Sequence, residues 1–196
     1  IYRNGREIMP AADIKIPGVH NIENYMAAAC ATEGLVSDAD VDAVARNFGG
    51  VEHRIELVRE LHGVKYYNDS IASSPSRTIA GLHSFTQKVI LIAGGYDKHI
   101  PFDVLGPEIC THVKTLVLCG ATAGKIRAAV ENAPEYHEGE PQILEAKNLR
   151  EAVELAKHAA EAGDVVTLSP ACAAFDQFKN FAVRGKTFKE IVNSLT

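Results

Sequence analysis

Asn68-Asp69-Ser70-Ile71-Ala72-Ser73-Ser74-Pro75 places an amide, a carboxylate and three hydroxyls ahead of a proline able to open a helix. The free amides and positive dipole end of such a helix favour an anion. A carboxylate or phosphate near Ser73 and Ser74 is one reading, with Asp69 as an acceptor. A turn closed by an N-cap is the other. Gly94-Gly95-Tyr96-Asp97-Lys98 pairs two glycines, which permit a tight turn or close approach of backbone to ligand, with a cation. A glycine turn with a solvated lysine would read the same. Ser169-Pro170-Ala171-Cys172-Ala173-Ala174 runs on through Phe175-Asp176-Gln177-Phe178-Lys179-Asn180-Phe181 and can set backbone amides and a phenyl wall against a small ligand. Cys172 has no histidine near it in sequence, so a buried thiol is expected there rather than a nucleophile. Cys119-Gly120-Ala121-Thr122-Ala123-Gly124-Lys125-Ile126 imitates a phosphate-binding P-loop but fails it. Three residues instead of four separate its glycines, and Ile126 has no hydroxyl for Mg²⁺. His20, Asn21 and Asn24 fall on the first turn of a helix opened by Gly18, where plain capping competes with a ligand role. Arg54, after His53, could reach a nucleotide or pair with a surface acid.

The elements that must position these residues follow from periodicity. Helices are expected over 18–34, with Ile22, Met26, Ala29, Cys30 and Ala31 as its apolar face, and over 38–47, with Val41, Val44 and Ala45 inside. Asn47-Phe48-Gly49-Gly50 marks a domain boundary. Beyond it, strands at 54–60, 64–68, 88–93, 114–118, 142–145 and 164–168 alternate with helices at 75–85, 101–110, 122–131, 149–161 and 185–194. Such alternation predicts an α/β fold, a mostly parallel Rossmann-like sheet with helices on both faces. Ligands of such sheets bind beyond the carboxyl ends of the strands, where every cluster above falls.

Composition narrows the function classes. The 196 residues are 46% hydrophobic and 23% charged, as in ordinary globular chains. A net charge of −5 lacks the basic footprint of a nucleic-acid binder. No apolar run is long enough for a membrane span. Four scattered cysteines without a CxxC pair predict buried free thiols in a reducing compartment, with the cytoplasm as the address. The chain opens with Ile1 rather than Met, so a piece of a longer polypeptide is expected; a processed chain is the alternative.

Together these residues resemble the Mur ligase family. Gly18-x-His20-Asn21-x-x-Asn24 is similar to a motif near the end of that family's ATP-binding central domain, and His53-Arg54 to the start of its C-terminal domain. Tyr67-Asn68-Asp69-Ser70, Gly94-Gly95-x-Asp97-Lys98 and Leu168-Ser169-Pro170-Ala171-Cys172-Ala173 follow in the family's order. The last stretch, continued from Asp176 to Phe181 and on to Arg184-Gly185, is long and resembles the branch that adds D-glutamate. The resemblance implies that residues 1–49 are the remnant of a central ATP-binding domain and 50–196 a Rossmann-like amino-acid-binding domain. It implies a monomeric ligase using ATP and Mg²⁺, held mainly by parts outside this chain. ATP would phosphorylate UDP-MurNAc-L-alanine, and the amine of D-glutamate would displace phosphate. The isolated chain is then expected to be inactive.

Carried over to this chain, the resemblance gives catalytic roles to His20 and Lys98. Asn21, Asn24, Arg54 and Asp69 would bind ATP, with Asn24 at the adenine and Arg54 and Asp69 at the ribose. Ser73, Lys98, Ala174 and Phe181 would hold D-glutamate. Three positions depart from relatives: Ala174 replaces a serine, Ser73 a threonine and Ile71 a lysine. Alternatives are another ATP-dependent amino-acid ligase of the superfamily, or a non-catalytic nucleotide-binding module. The Asp-Asn-Pro-Arg motif of the diaminopimelate-adding relatives is absent.

Overall fold

A computed structural model describes all 196 residues, which divide into two compact units, Ile1–Val51 and Glu52–Thr196. In the first unit a two-stranded antiparallel ribbon, β1 (Tyr2–Arg3) and β2 (Arg6–Glu7), precedes a short 3-10 turn at Ala11–Asp13 and the helices α1 (Val19–Ala31) and α2 (Asp38–Asn47). A reciprocal capping box opens α2: the Asp40 amide donates to Ser37 Oγ, and the Ser37 amide donates to the Asp40 carboxylate. Met9, Ile14 and Ala45 form a small core, with Ile22 and Tyr25 packed against it. The covered side of α1 carries Ile22 and Tyr25, half-buried against this core, and the buried Ala29, at i, i+3 and i+7. Met26, Cys30 and Ala31, expected on the apolar face, are exposed, and so is Val44 on α2.

The second unit is a six-stranded sheet. In chain order it contains β3 (Glu56–Leu61), β4 (Val64–Asn68), α3 (Pro75–Leu82), β5 (Val89–Ala93), α4 (Leu105–His112), β6 (Val113–Cys119), α5 (Ala123–Glu131), β7 (Gln142–Ala146), α6 (Leu149–Ala159), β8 (Val165–Leu168) and α7 (Phe181–Ser194). The strand order is β3-β4-β8-β5-β6-β7, parallel except for the β3–β4 hairpin. That hairpin turns through His62 and Gly63, both at positive φ, the backbone that matches the twist of its strands.

Two cores cover the two faces of the sheet. Ile90, Ile92, Val117, Val166 and Leu168 face Ala152, Val153, Ala156, Phe188 and Val192 of α6 and α7. The alternate residues Val89, Leu91, Ala93, Leu116 and Leu118 face Leu82, Leu105, Ile109, Ile126 and Val130 of α3, α4 and α5. All five residues of β5 are buried, as a central parallel strand requires. The α6 stripe of Leu149, Ala152, Val153 and Ala156 is buried as its spacing predicts, and Asn148 caps it through the Glu151 amide.

α1 and α3 each end three residues earlier than expected, and two further helices start four residues from expectation. α4 starts at Leu105 rather than near 101, since residues 101–104 run as loop and turn before it. α7 begins at Phe181, four residues before the predicted start, because Asn180 Oδ1 caps the Val183 amide at 2.9 Å. Ser74 precedes α3, but its hydroxyl faces Ser76 Oγ rather than a helix amide.

Of the four cysteines, Cys110, Cys119 and Cys172 are buried and Cys30 is exposed, against the expectation of four buried thiols. A maleimide reagent is therefore expected to label one thiol in the folded chain and four after unfolding. Mass spectrometry of native and denatured samples checks this.

Candidate functional site

The carboxyl ends of β4, β5, β6 and β8 meet at one edge of the second unit. What joins them is Arg184, in the first turn of α7 and only 3% exposed. Its guanidinium donates from Nε to Ser70 Oγ at 3.0 Å and from Nη2 to the Ser70 carbonyl at 2.9 Å. It also donates to the carbonyls of Cys172 at 3.0 Å and Ala173 at 3.2 Å. One side chain thus ties the loop after β4 to the loop after β8. Burial brings its pKa down to about 10, so it remains charged at neutral pH. Ser70 Oγ passes the tie on by donating to the Phe181 carbonyl at 2.8 Å.

The glycine loop after β5 enters the same lattice. A Cβ on Gly94, at φ +113°, would collide with the Cys119 carbonyl oxygen, so only glycine allows this approach of the β5 and β6 ends. The Tyr96 amide donates to the Ala173 carbonyl at 2.9 Å. The P-loop imitation proves structural. Thr122 Oγ1 accepts from the Gly95 amide at 3.0 Å, and Lys125 pairs with Asp97 at 2.5 Å. Cys172 lies under this loop, 3.1 Å from Thr122 Oγ1, and burial pushes its thiol up to about 11. It is a neutral thiol at physiological pH, as its sequence context predicts.

Asp69 is turned inward and 4% exposed. Its carboxylate accepts from Ser169 Oγ at 2.7 Å and from the Ile55 amide at 3.3 Å. It therefore fixes the backbone beside Arg54, which is itself exposed. Ile55 sits at φ +44°, a costly conformation for a β-branched residue, held next to a candidate binding side chain. His53 is buried. Its ring lies edge-on to Phe181 at 6.0 Å and against Gly185, where any Cβ would strike it.

Burial pushes the Asp69 carboxyl up to about 6, despite hydrogen bonds that favour its ionised form. An unfolded aspartate titrates near ~3.9. Between those values the folded state holds the extra proton. The stabilisation this group provides is therefore complete below pH ~4 and lost as pH rises through 6. Asp69→Asn is expected to remove that slope. The change in unfolding free energy between about pH 4.5 and pH 7.5 should differ from the parent's by on the order of 2 kcal/mol. Urea titrations at both pH values measure it.

The remaining predicted residues fall as follows. Lys98 is exposed on the loop after β5, and Ser73 is half-buried before α3. Ala174 is buried, and its carbonyl accepts from the Gln177 and Phe178 amides. Phe181 opens α7 at 39% exposure. Arg184 holds the loops of Ser73, Ala174 and Phe181 in one lattice, and Tyr96 anchors the Lys98 loop to it. In the first unit, Asn21 is buried with its amide donating to the Pro17 carbonyl at 2.6 Å. Asn24 is exposed, and His20 is half-buried on the same turn. Sequence reasoning did not assign Arg184, Ser70 or Thr122 a role. The signal in the sequence is only their place in longer stretches: Ser70 in Tyr67-Asn68-Asp69-Ser70, Thr122 in the P-loop imitation and Arg184 in the long closing motif.

The carboxylates at this edge are already engaged. Asp69 is buried, Asp97 pairs with Lys125, and Asp176 accepts from the Ala121 amide. This edge thus presents no free carboxylate pair for Mg²⁺, whereas Arg54 is exposed and could meet a nucleotide. No helix is long and apolar enough to cross a membrane.

Residues 53–172 match the family described as Mur ligase, glutamate ligase domain. The UDP-N-acetylmuramoylalanine–D-glutamate ligase of Acetivibrio thermocellus is 56% identical over 200 aligned residues, covering 100% of this chain and 43% of that protein. The enzyme of the same name from Clostridium botulinum is 53% identical over 97% of this chain and 42% of its own length. The chain thus spans less than half the length of these relatives. Among solved structures, the Mycobacterium tuberculosis folylpolyglutamate synthase complexed with ADP superposes with a TM-score of 0.62 at 14% identity. That superposition covers 90% of this chain and 41% of the synthase, and it supports the fold.

Proposed function

This chain belongs to the Mur ligase family, and from that premise we propose that it is the C-terminal part of an ATP-dependent ligase joining D-glutamate to UDP-MurNAc-L-alanine. Residues 1–49 would be the remnant of the ATP-binding central domain and 50–196 the amino-acid-binding domain. The observation that carries the reading is the loop lattice around Arg184, which holds Ser73, Ala174 and Phe181 at the carboxyl edge where the glycine loop presents Lys98. Similarity across the whole chain to proteins named as D-glutamate ligases supports D-glutamate as the amino acid.

In the proposed reaction the γ-phosphoryl group of ATP is transferred to the carboxylate of UDP-MurNAc-L-alanine. The amine of D-glutamate attacks the resulting acyl phosphate, the new amide bond forms, and inorganic phosphate leaves. This chain's part is positioning and charge stabilisation. Lys98 and Ser73 hold glutamate carboxylates by a charge-assisted and a neutral hydrogen bond. The Phe181 ring walls the aliphatic portion. Alanine at 174 supplies no hydroxyl, so backbone amides serve there. Arg54 approaches the nucleotide, with Asp69 fixing its backbone. In the first unit His20, Asn21 and Asn24 are assigned to the ATP site, with His20 catalytic. Mg²⁺ would neutralise phosphate charge from ligands outside the second unit.

The test is phosphate release by the longer polypeptide given ATP, Mg²⁺ and UDP-MurNAc-L-alanine. D-glutamate, L-glutamate, L-lysine and meso-diaminopimelate are supplied separately. Release with D-glutamate alone is expected, and none from the 196-residue chain by itself. Release with another amino acid moves the specificity within the family. Silence with all four refutes the ligase reading.

A further inference from the structure

Away from this edge, three side chains converge in a way the ligase reading does not use. His83 caps the C-terminus of α3, and Glu108 and His112 lie one turn apart on α4. Glu108 Oε2 is 2.7 Å from His83 Nε2 and 3.5 Å from His112 Nε2. The two imidazole rings are 4.9 Å apart, and one ligand atom from each residue falls within a 4.8 Å cluster. We propose that His83, Glu108 and His112 form a binding site for a divalent transition-metal ion of the Zn²⁺ type.

The donor set is the first argument. Two imidazoles and one carboxylate suit Zn²⁺ and its neighbours, not the hard ions Mg²⁺ and Ca²⁺, which take oxygen ligands. Geometry is the second. Zn–N and Zn–O bonds of about 2.0–2.2 Å set tetrahedral ligand atoms roughly 3.3 Å apart. The Glu108–His112 separation already matches. The Glu108–His83 pair must open by about half an ångström and the two imidazole nitrogens, within 4.8 Å, must settle at the same spacing, adjustments within reach of Glu108 and His83 side chains that are 32% and 51% exposed. Glu108 and His112 stand four apart on one helix face, the spacing by which a helix offers two ligands to one ion. Solvent would supply the fourth position.

Charge is the third argument. Glu108 pairs with no lysine or arginine, so its charge faces the two imidazoles alone. The comparable convergence of Glu52, His53 and Glu56 is already filled by a cation. Lys189 Nζ lies 3.2 Å from Glu52 and 2.5 Å from Glu56.

Topology separates this site from the ligase edge. Helices following parallel strands run back against them, so the C-terminal ends of α3 and α4 lie at the amino ends of the strands. The ion would bridge two helices whose preceding loops carry Ser73 and Lys98, from the opposite end. Its role would be to fix α3 against α4 and stabilise the fold in proportion to ion concentration.

Equilibrium dialysis of the full 196-residue chain against Zn²⁺, with Mg²⁺ in parallel, tests the proposal. One equivalent of Zn²⁺ and none of Mg²⁺ is expected. His83→Gln, His112→Gln and Glu108→Gln should each weaken binding by more than the roughly 10–100-fold typical of losing only a supporting contact to a metal ligand. His158→Gln, at an exposed histidine elsewhere, should not. Co²⁺ should give visible absorption bands that vanish in the same three variants. Far-ultraviolet circular dichroism confirms that each variant is folded. Binding unaffected by the three substitutions, or no stoichiometric Zn²⁺ uptake by the parent chain, overturns the assignment. Neither outcome bears on glutamate addition, which is read by phosphate release.

Discussion

Replacing Arg184 with methionine is expected to destabilise the second unit by about 3–5 kcal/mol, read as a fall in the urea midpoint. Two effects compete. Burying a guanidinium is costly, as its lowered pKa shows, and a methionine of similar length would remove that cost. The acceptors, however, stay behind. The carbonyls of Ser70, Cys172 and Ala173 are backbone groups that no side-chain change can delete. The Ala173 carbonyl keeps the Tyr96 amide, but leaving the Ser70 and Cys172 carbonyls buried and unpaired costs roughly 1–3 kcal/mol each, so the loss outweighs the relief. Arg184→Lys should recover only part of the stability, because one ammonium cannot span acceptors arrayed for a planar fork. If methionine proved neutral, the lattice would be held by the glycine loop and the α7 cap instead.

Lys98→Ala in the longer polypeptide is expected to lower kcat/KM for D-glutamate by about 10–100-fold, with the KM for ATP changed less than about twofold. The figure is that of one charge-assisted hydrogen bond to a carboxylate, about 1.5–3 kcal/mol. Lys98 is exposed and pairs with no carboxylate, whereas the neighbouring Asp97 is taken by Lys125. Its removal should therefore leave the fold intact, and unchanged thermal unfolding checks this. Lys98→Arg should retain part of the activity. Equal losses for glutamate and ATP would detach Lys98 from the amino-acid role.

The sequence shows the sheet because its strands are buried on both faces and therefore read as unbroken apolar runs, as in Val89–Ala93. It shows α6 because four residues of one stripe are buried and the cap is local. It misplaces the start of α7 because Phe175–Lys179 mixes aromatic and polar residues without period, and the cap at Asn180 is a single side chain. It misjudges Cys30 because small alanines flank it on both sides, and spacing alone does not say which side of such a helix is covered. The clusters at the carboxyl edge are visible as loops rich in hydroxyls, glycines and charge. What joins them is not. Arg184 lies 114 residues from Ser70, and nothing in either local sequence announces a hydrogen bond between them. The inward turn of Asp69 is hidden for the same reason, since its partner Ser169 is 100 residues away.

The order of the sheet bears on how the chain is made. β8, the last strand of this sheet in chain order, is inserted between β4 and β5, two of the earlier ones in the unit. During translation those two strands have no shared neighbour until residues 165–168 leave the ribosome. Until then each offers an open hydrogen-bonding edge lined with valine, isoleucine and tyrosine. Closure then joins segments about a hundred residues apart, a slow step in chains of high contact order. The nascent unit thus passes through a window in which aggregation and chaperone capture compete with folding. Cys172 and Arg184, both distal to β8, become available to the lattice only as that window shuts.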